Sequence, residues 1–283
     1  MKNTIFFLSS LILIFCSCLE VETIDYELPF EQNTIALGFI DSVNGVRVYV
    51  GKNIPVLSND STSIIKDVEV ELWSDELRLE KLTYLDKNVF ISSKKVDIKK
   101  LKSYYFKATI PLSIDTLISE KVMLPETIPI ENVRFLYTNP QKTTVDLYVD
   151  ITDPIGFNAY SFNIQGYKKD TLFGENITDN PYYTPSKGFL YSDREYEGKK
   201  HTFIIENISV EEYQDKRFIE IDKIRITLFN LSKPTYEAFL SLRTLEPSVG
   251  EPFFEPTTIP NQIKNGLGIF GAYSSYSFDV KIR

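Results

Sequence analysis

Residues 67–73, DVEVELW, alternate without a break: Val68, Val70 and Leu72 fall on one face, Asp67, Glu69 and Glu71 on the other. A period of two belongs to an extended strand, because successive side chains there point to opposite sides. One buried and one wet face fit an antiparallel sheet that covers a core on a single side. Neighbouring segments read alike. Residues 35–40 (IALGFI) and 46–50 (VRVYV) flank Asn44-Gly45, a hairpin dipeptide, and 104–110 (YYFKATI) ends before Pro111. Five or more strands within about ninety residues predict an immunoglobulin-like or prealbumin-like sandwich over 35–129.

The stretch 111–131 carries Pro111, Pro125 and Pro129, which disfavour central strands. The end of the stretch reads as an extended connector, with a domain boundary near Pro129. Strands are expected again at 132–138, 144–151, 159–167, 201–208 and 220–229. One helix is expected near 233–245. Ser232 can cap it, Pro234 suits its first turn, and Tyr236, Phe239, Leu240 and Leu242 fall at helical spacing before Pro247 and Gly250 end it. In the tail, Asn265-Gly266, Gly268 and Gly271 interrupt an apolar, aromatic stretch, which predicts close backbone approach or sharp bends in terminal strands. The fold class is therefore all-β: the first sandwich, then a second antiparallel β domain over 130–283 with one short helix.

The N-terminus, MKNTIFFLSSLILIFCSC, places Lys2 before an apolar run over 5–15. That run is too short to span a bilayer, which takes about 20 apolar residues. It suits a secretory signal peptide over 1–17. Small Ser17 before Cys18 looks like a lipoprotein processing site, so Cys18 is expected to become the diacylated N-terminus. Cys16 is the weaker candidate, because bulky Phe15 precedes it. A lipid there anchors the chain to a membrane without spanning it, and the acidic, polar residues 18–34 read as a tether and entry strand. Both cysteines of the chain lie in this region. No disulfide is then expected within the mature body, and stability must come from apolar cores. With 43% apolar residues the chain can build them. A net charge of −8 and the lack of a basic block argue against nucleic acid and anionic headgroups as partners.

Few residues invite chemistry. Asp153-Pro154-Ile155-Gly156 has turn chemistry: a side-chain acceptor, a fixed φ, then a permissive residue. Asp146, Asp150 and Asn158 lie close in sequence, but the dense aspartate spacing of a calcium loop is lacking. A structural turn is favoured, and no metal or cofactor is expected. Gly266, Gly268 and Gly271 do not form a phosphate cradle, which needs a strand before the glycines and a helix after them. His201 is the one histidine and, beside Lys199 and Lys200, is expected to face solvent. No G-x-S-x-G elbow supports a serine triad, and histidine–cysteine zinc sites are excluded by count. Among 39 acidic residues no pattern selects a glycosidase pair. The chain is read as a non-enzyme with no catalytic residue. Tyr182, Tyr183, Phe189 and Tyr191 lie in a turn-rich stretch and suit sugar stacking, a protein interface or packing over a sandwich edge.

Several segments together carry a family resemblance: Cys18 with I-D-x-x-L-P (Ile24, Asp25, Leu28, Pro29), and P-x-x-I-P (Pro125, Ile128, Pro129). D-P-x-G-x-N-x-Y follows at Asp153, Pro154, Gly156, Asn158 and Tyr160, and S-D-x-x-x-x-G-K at Ser192, Asp193, Gly198 and Lys199. The most specific motif spans 256–273 and includes Gly266, Gly268, Phe270, Gly271 and Tyr273. Over nearly its whole length the chain resembles the lipoprotein family catalogued as domain of unknown function 4249, found in Gram-negative outer membranes. One departure is Ala159, where the pattern often has a tyrosine. The resemblance implies an outer-membrane or surface location, association with TonB-dependent receptor systems and no established activity. The expectation is a lipid-anchored, surface-exposed, non-catalytic accessory partner of a TonB-dependent transporter. A cell-surface lipoprotein that binds or processes a glycan or other nutrient is the alternative, and a structural envelope component a third.

Overall fold

Val68, Val70 and Leu72 are each no more than 8% exposed, and Glu69–Ser74 is a strand, as its alternation requires. The computed structural model describes residues 30–54, 64–93, 98–99, 102–111, 113, 115–168, 171–173, 189–214, 217–248 and 260–282. The segment with Cys16 and Cys18, the I-D-x-x-L-P motif, Tyr182, Tyr183 and Pro256 lie outside the described residues.

In the first half the strands are β1 (Thr34–Asp41), β2 (Gly45–Lys52), β3 (Glu69–Ser74), β4 (Leu77–Lys81), β5 (Thr83–Asp86), β6 (Val89–Ile91), β7 (Ser103–Thr109), β8 (Leu117–Ser119) and β9 (Val122–Met123). Next come β10 (Asn132–Tyr137), β11 (Thr144–Thr152), β12 (Ala159–Lys168), β13 (Thr171–Phe173), β14 (Leu190–Ser192), β15 (Lys200–Ser209), β16 (Glu211–Gln214), β17 (Arg217–Glu220) and β18 (Lys223–Leu231). Helix α1 (Lys233–Ser248), β19 (Ile263–Lys264) and β20 (Leu267–Lys281) complete the order. A nine-stranded sheet runs β13-β12-β18-β20-β1-β2-β6-β5, with β14 also paired to β12. A six-stranded sheet runs β19-β8-β7-β3-β4 with β9 on β7, a three-stranded one runs β10-β11-β15, and β16 pairs β17.

The large sheet backs two sandwich cores. In the first, Ala36, Val48 and Phe270 of the large sheet meet Leu72 and Phe106 of the six-stranded one, and the Phe106 and Phe270 rings touch edge-on at 5.2 Å. In the second, Leu147 and Val149 of β11 and Phe203 of β15 pack on Phe162 and Ile226 of the large sheet. Strand alternation then dictates a third cluster. Ile224, Ile226 and Leu228 face the second core, so Phe229 and Leu231 turn toward the opposite face. There α1 covers them with Phe239, beside Tyr273. Ser232 and Thr235 hold the start of α1 to β20: both hydroxyls accept from the Ala272 N–H, at 3.2 and 2.8 Å.

Strand β20 joins the two sandwiches. Its first half pairs with β1, from Ile35 opposite Leu267 to Asp41 opposite Tyr273, and its second half with β18, from Leu231 opposite Tyr273 to Lys223 opposite Lys281. The β1–β20 pair is parallel, unlike the hairpin pairings that sequence alternation anticipates. A parallel pair needs a long crossover, and here almost the whole body of the chain supplies it. The proline connector carries the chain between cores, with Leu124 in the first and Ile128 and Ile130 in the second. Ile263, Phe270 and Ala272 then return to the first core, and Gln32–Arg283 is one compact unit.

Candidate functional site

The D-P-x-G-x-N-x-Y and S-D-x-x-x-x-G-K motifs form two loops, 153–158 between β11 and β12 and 193–199 between β14 and β15. They meet because β12 pairs β14, with Ala159 opposite Ser192. Asp153 is 1% exposed. Its carboxylate accepts from the Tyr160 hydroxyl and, at 2.9 Å, from the Gly198 N–H. Its own N–H donates to the Lys199 carbonyl at 2.9 Å. Asp193 accepts from the Asn158 N–H at 2.6 Å and returns a backbone bond to the Asn158 carbonyl at 3.2 Å. The Asn158 amide donates to the Pro154 and Gly156 carbonyls at 3.1 and 2.9 Å, which closes the first loop upon itself.

Two further segments are tied in. Asn230 of β18 donates to Asn158 Oδ1 at 3.2 Å and to the Glu126 carbonyl of the connector at 3.0 Å. Ser274 of β20 donates to the same carbonyl at 2.6 Å. Burial pushes the Asp153 carboxyl above its ordinary value, opposed by the Tyr160 and Gly198 donors. Burial first, and the bond to Asp153 second, raise the Tyr160 phenol. Both carboxylates are therefore occupied by donors of the opposite loop and, for Asp153, of β12. This is the chemistry of a fastening, since a buried polar group without such partners would cost about 1–3 kcal/mol.

The positions between the motif residues face outward. Ile155 is 88% and Phe157 48% exposed. The Phe157 ring meets Tyr236 of α1 edge-on at 6.0 Å, and Leu240, one helical turn further, is 44% exposed. Between the two apolar side chains, Gly156 has φ +106° and open space where a Cβ would stand. Its N–H donates to Glu197 Oε1 at 3.1 Å. Sequence reasoning identified Asp153, Asn158, Tyr160 and Asp193 but missed Ile155, Phe157, Asn230 and Glu126. The first two fall at positions that the motif leaves unspecified, and the last two lie far off in the chain.

His201 departs from its expected place at the solvent. Its ring stacks on Tyr196 at 3.8 Å and 11° and meets Phe203 edge-on at 4.6 Å, because β15 alternation puts it beside the second core. Burial lowers its imidazole below the ordinary value, against the pull of Asp153 and Glu195. The neutral ring is the one the fold favours. Its contribution is thus present above the unfolded value, about 6.5, and is lost as pH falls through the folded value. The single imidazole resonance should titrate below about 6.5 in NMR, and His201→Gln should remove that part of the pH dependence of unfolding. A titration above that value would contradict this placement.

Other candidates are held locally. Asp150 accepts from Thr202 at 2.7 Å, Arg134 at 3.0 Å and Asn132 at 3.2 Å, and Asp146 accepts from the Asn207 N–H at 2.9 Å. Among the described residues no group of three or more His, Cys, Asp or Glu is placed to hold a metal ion. Phe189 and Tyr191 pack against the second core, Tyr191 at 5.0 Å from the Phe203 ring. The tail motif lies along β20. Gly266 follows Asn265 in the turn before it, Gly268 abuts Ala36, Phe270 enters the first core, and Gly271 and Tyr273 face α1.

Fold and junction together define a β-sandwich protein whose recurrent motif residues fasten two loops from within. The family model described as Domain of unknown function (DUF4249) matches residues 21–279, and the chain belongs to that family. No curated protein matches it.

Proposed function

We propose that the chain is a non-catalytic, lipid-anchored outer-membrane protein that acts as an accessory partner of a TonB-dependent transporter. The observation that carries this reading is the use made of Asp153, Asn158 and Asp193: each is buried, the two carboxylates accept from N–H groups of the opposite loop, and Asn158 braces its own. Their polar atoms are taken up in bracing the two loops. The Ser17-Cys18 pair supports the anchor, and a bilayer-attached body with shaped loops is suited to binding. Purification of the full chain from mildly solubilised outer membranes is expected to retrieve a TonB-dependent receptor at a defined stoichiometry. Retrieval of none, from membranes that contain such receptors, sinks the reading.

A further inference from the structure

We infer that β20 is a folding lock: neither sandwich becomes stable until this strand, the last among the described residues, stands between β1 and β18. In the order of the nine-stranded sheet, β20 separates β13-β12-β18 from β1-β2-β6-β5. Without it the sheet is two ribbons, each with a long edge that has no partner. That edge runs from Ile35 to Asp41 along β1 and from Lys223 to Leu231 along β18. Ala36 and Ile40 on the first edge, and Ile226 and Leu228 on the second, are buried. Backbone groups left unpaired at such depth each cost about as much as a lost hydrogen bond.

The cores lose as much as the ladder does. Phe270 and Ala272 leave the first core, Val280 the second, and Tyr273 the cluster under α1. Among the described residues β20 is the only strand with buried side chains in all three clusters. Helix α1 loses its anchor as well, because the Ala272 carbonyl accepts from the Ser232 N–H at 2.8 Å and from the Thr235 hydroxyl at 3.1 Å. The connector loses the Ser274 hydroxyl that donates to Glu126.

Order along the chain turns this dependence into a device. Strands β1 to β18 and helix α1 all precede β20, and β1 is the element farthest from it in sequence. Pairing over such a separation must overcome loop-closure entropy before its contacts form, so it comes late. A chain kept open until residues 267–281 are in place can cross a membrane in an extended state. That use rests on the outer-membrane reading; the lock itself does not.

The purified full chain carries a natural probe in each half. Trp73 of β3 is the one tryptophan and reports the first sandwich, and His201 of β15 is the one histidine and reports the second. On refolding from urea, pulse hydrogen exchange read by mass spectrometry should show β7, β11 and β20 gaining protection at rates within about twofold of one another. Native Trp73 emission should return in the same phase. Protection of β7 or β11 ahead of β20 by more than that factor, or native Trp73 emission while β20 still exchanges freely, overturns the inference. At equilibrium, Leu147→Ala, confined to the second core, should lower the urea midpoints of Trp73 emission and of the His201 imidazole resonance equally, by about 1 M. A fall in the His201 midpoint alone shows that the first sandwich stands by itself, and the lock is lost. Receptor retrieval has no part in these measurements, so the lock and the accessory-partner reading fail separately.

Discussion

Gly268→Ala is expected to cost the chain about 4 kcal/mol or more in urea unfolding, the largest effect of any single methyl addition considered. Gly268 lies at φ +138°, and a Cβ built on it would stand 1.8 Å from the Ala36 carbonyl oxygen and 2.8 Å from the carbonyl carbon. These are backbone atoms of the paired strand β1, so no side chain can swing aside. The parallel pair must separate. Because β20 contributes Phe270 to the first core and Val280 to the second, both sandwiches lose support together. Gly156→Ala is the matched comparison: φ is again positive, but the space is open, so backbone strain alone should cost about 1–2 kcal/mol. If the two variants unfold at the same denaturant concentration, β20 does not join the cores as described.

Asp153→Ala should destabilise the fold by about 3 kcal/mol, because the Tyr160 hydroxyl and the Gly198 N–H each lose their acceptor. Tyr160→Phe removes only one donor and should cost about 1–2 kcal/mol. The double variant discriminates between a shared fastening and independent contributions. With the hydroxyl already gone, loss of the carboxylate leaves one fewer orphaned group, so the double should fall short of the sum by about 1 kcal/mol. Strict additivity would mean that the two groups do not act on one another.

Much of the β pattern was legible before any coordinates. In β11 the residues Val145, Leu147, Val149 and Ile151 are all fully buried while their neighbours are not, as alternation at 144–151 predicts. The helix begins at Lys233, where Ser232 and Pro234 place it, and extends a turn beyond the predicted end. The motif residues were legible as a family signature, but their task was not. Asp153 reads as a turn former from its neighbours in sequence, whereas its main partners are Tyr160 and Gly198 across two loops. His201 reads as exposed beside two lysines, and only the ring of Tyr196, brought over it by the 193–199 loop, shows otherwise.

What the sequence by itself determined is the longer strands, the one helix near 233–245, their apolar faces and the family, since backbone geometry assigns each side chain to a face within two to four residues. Only the tertiary structure decided that β1 and β20 lie side by side, that Glu126, Asn158, Asp193 and Asn230 converge, and that Ile155 and Phe157 are left outside. Those outcomes follow from strand pairing between segments far apart in the chain. Such pairing is chosen by the burial of whole faces together, and no local stretch of residues records it.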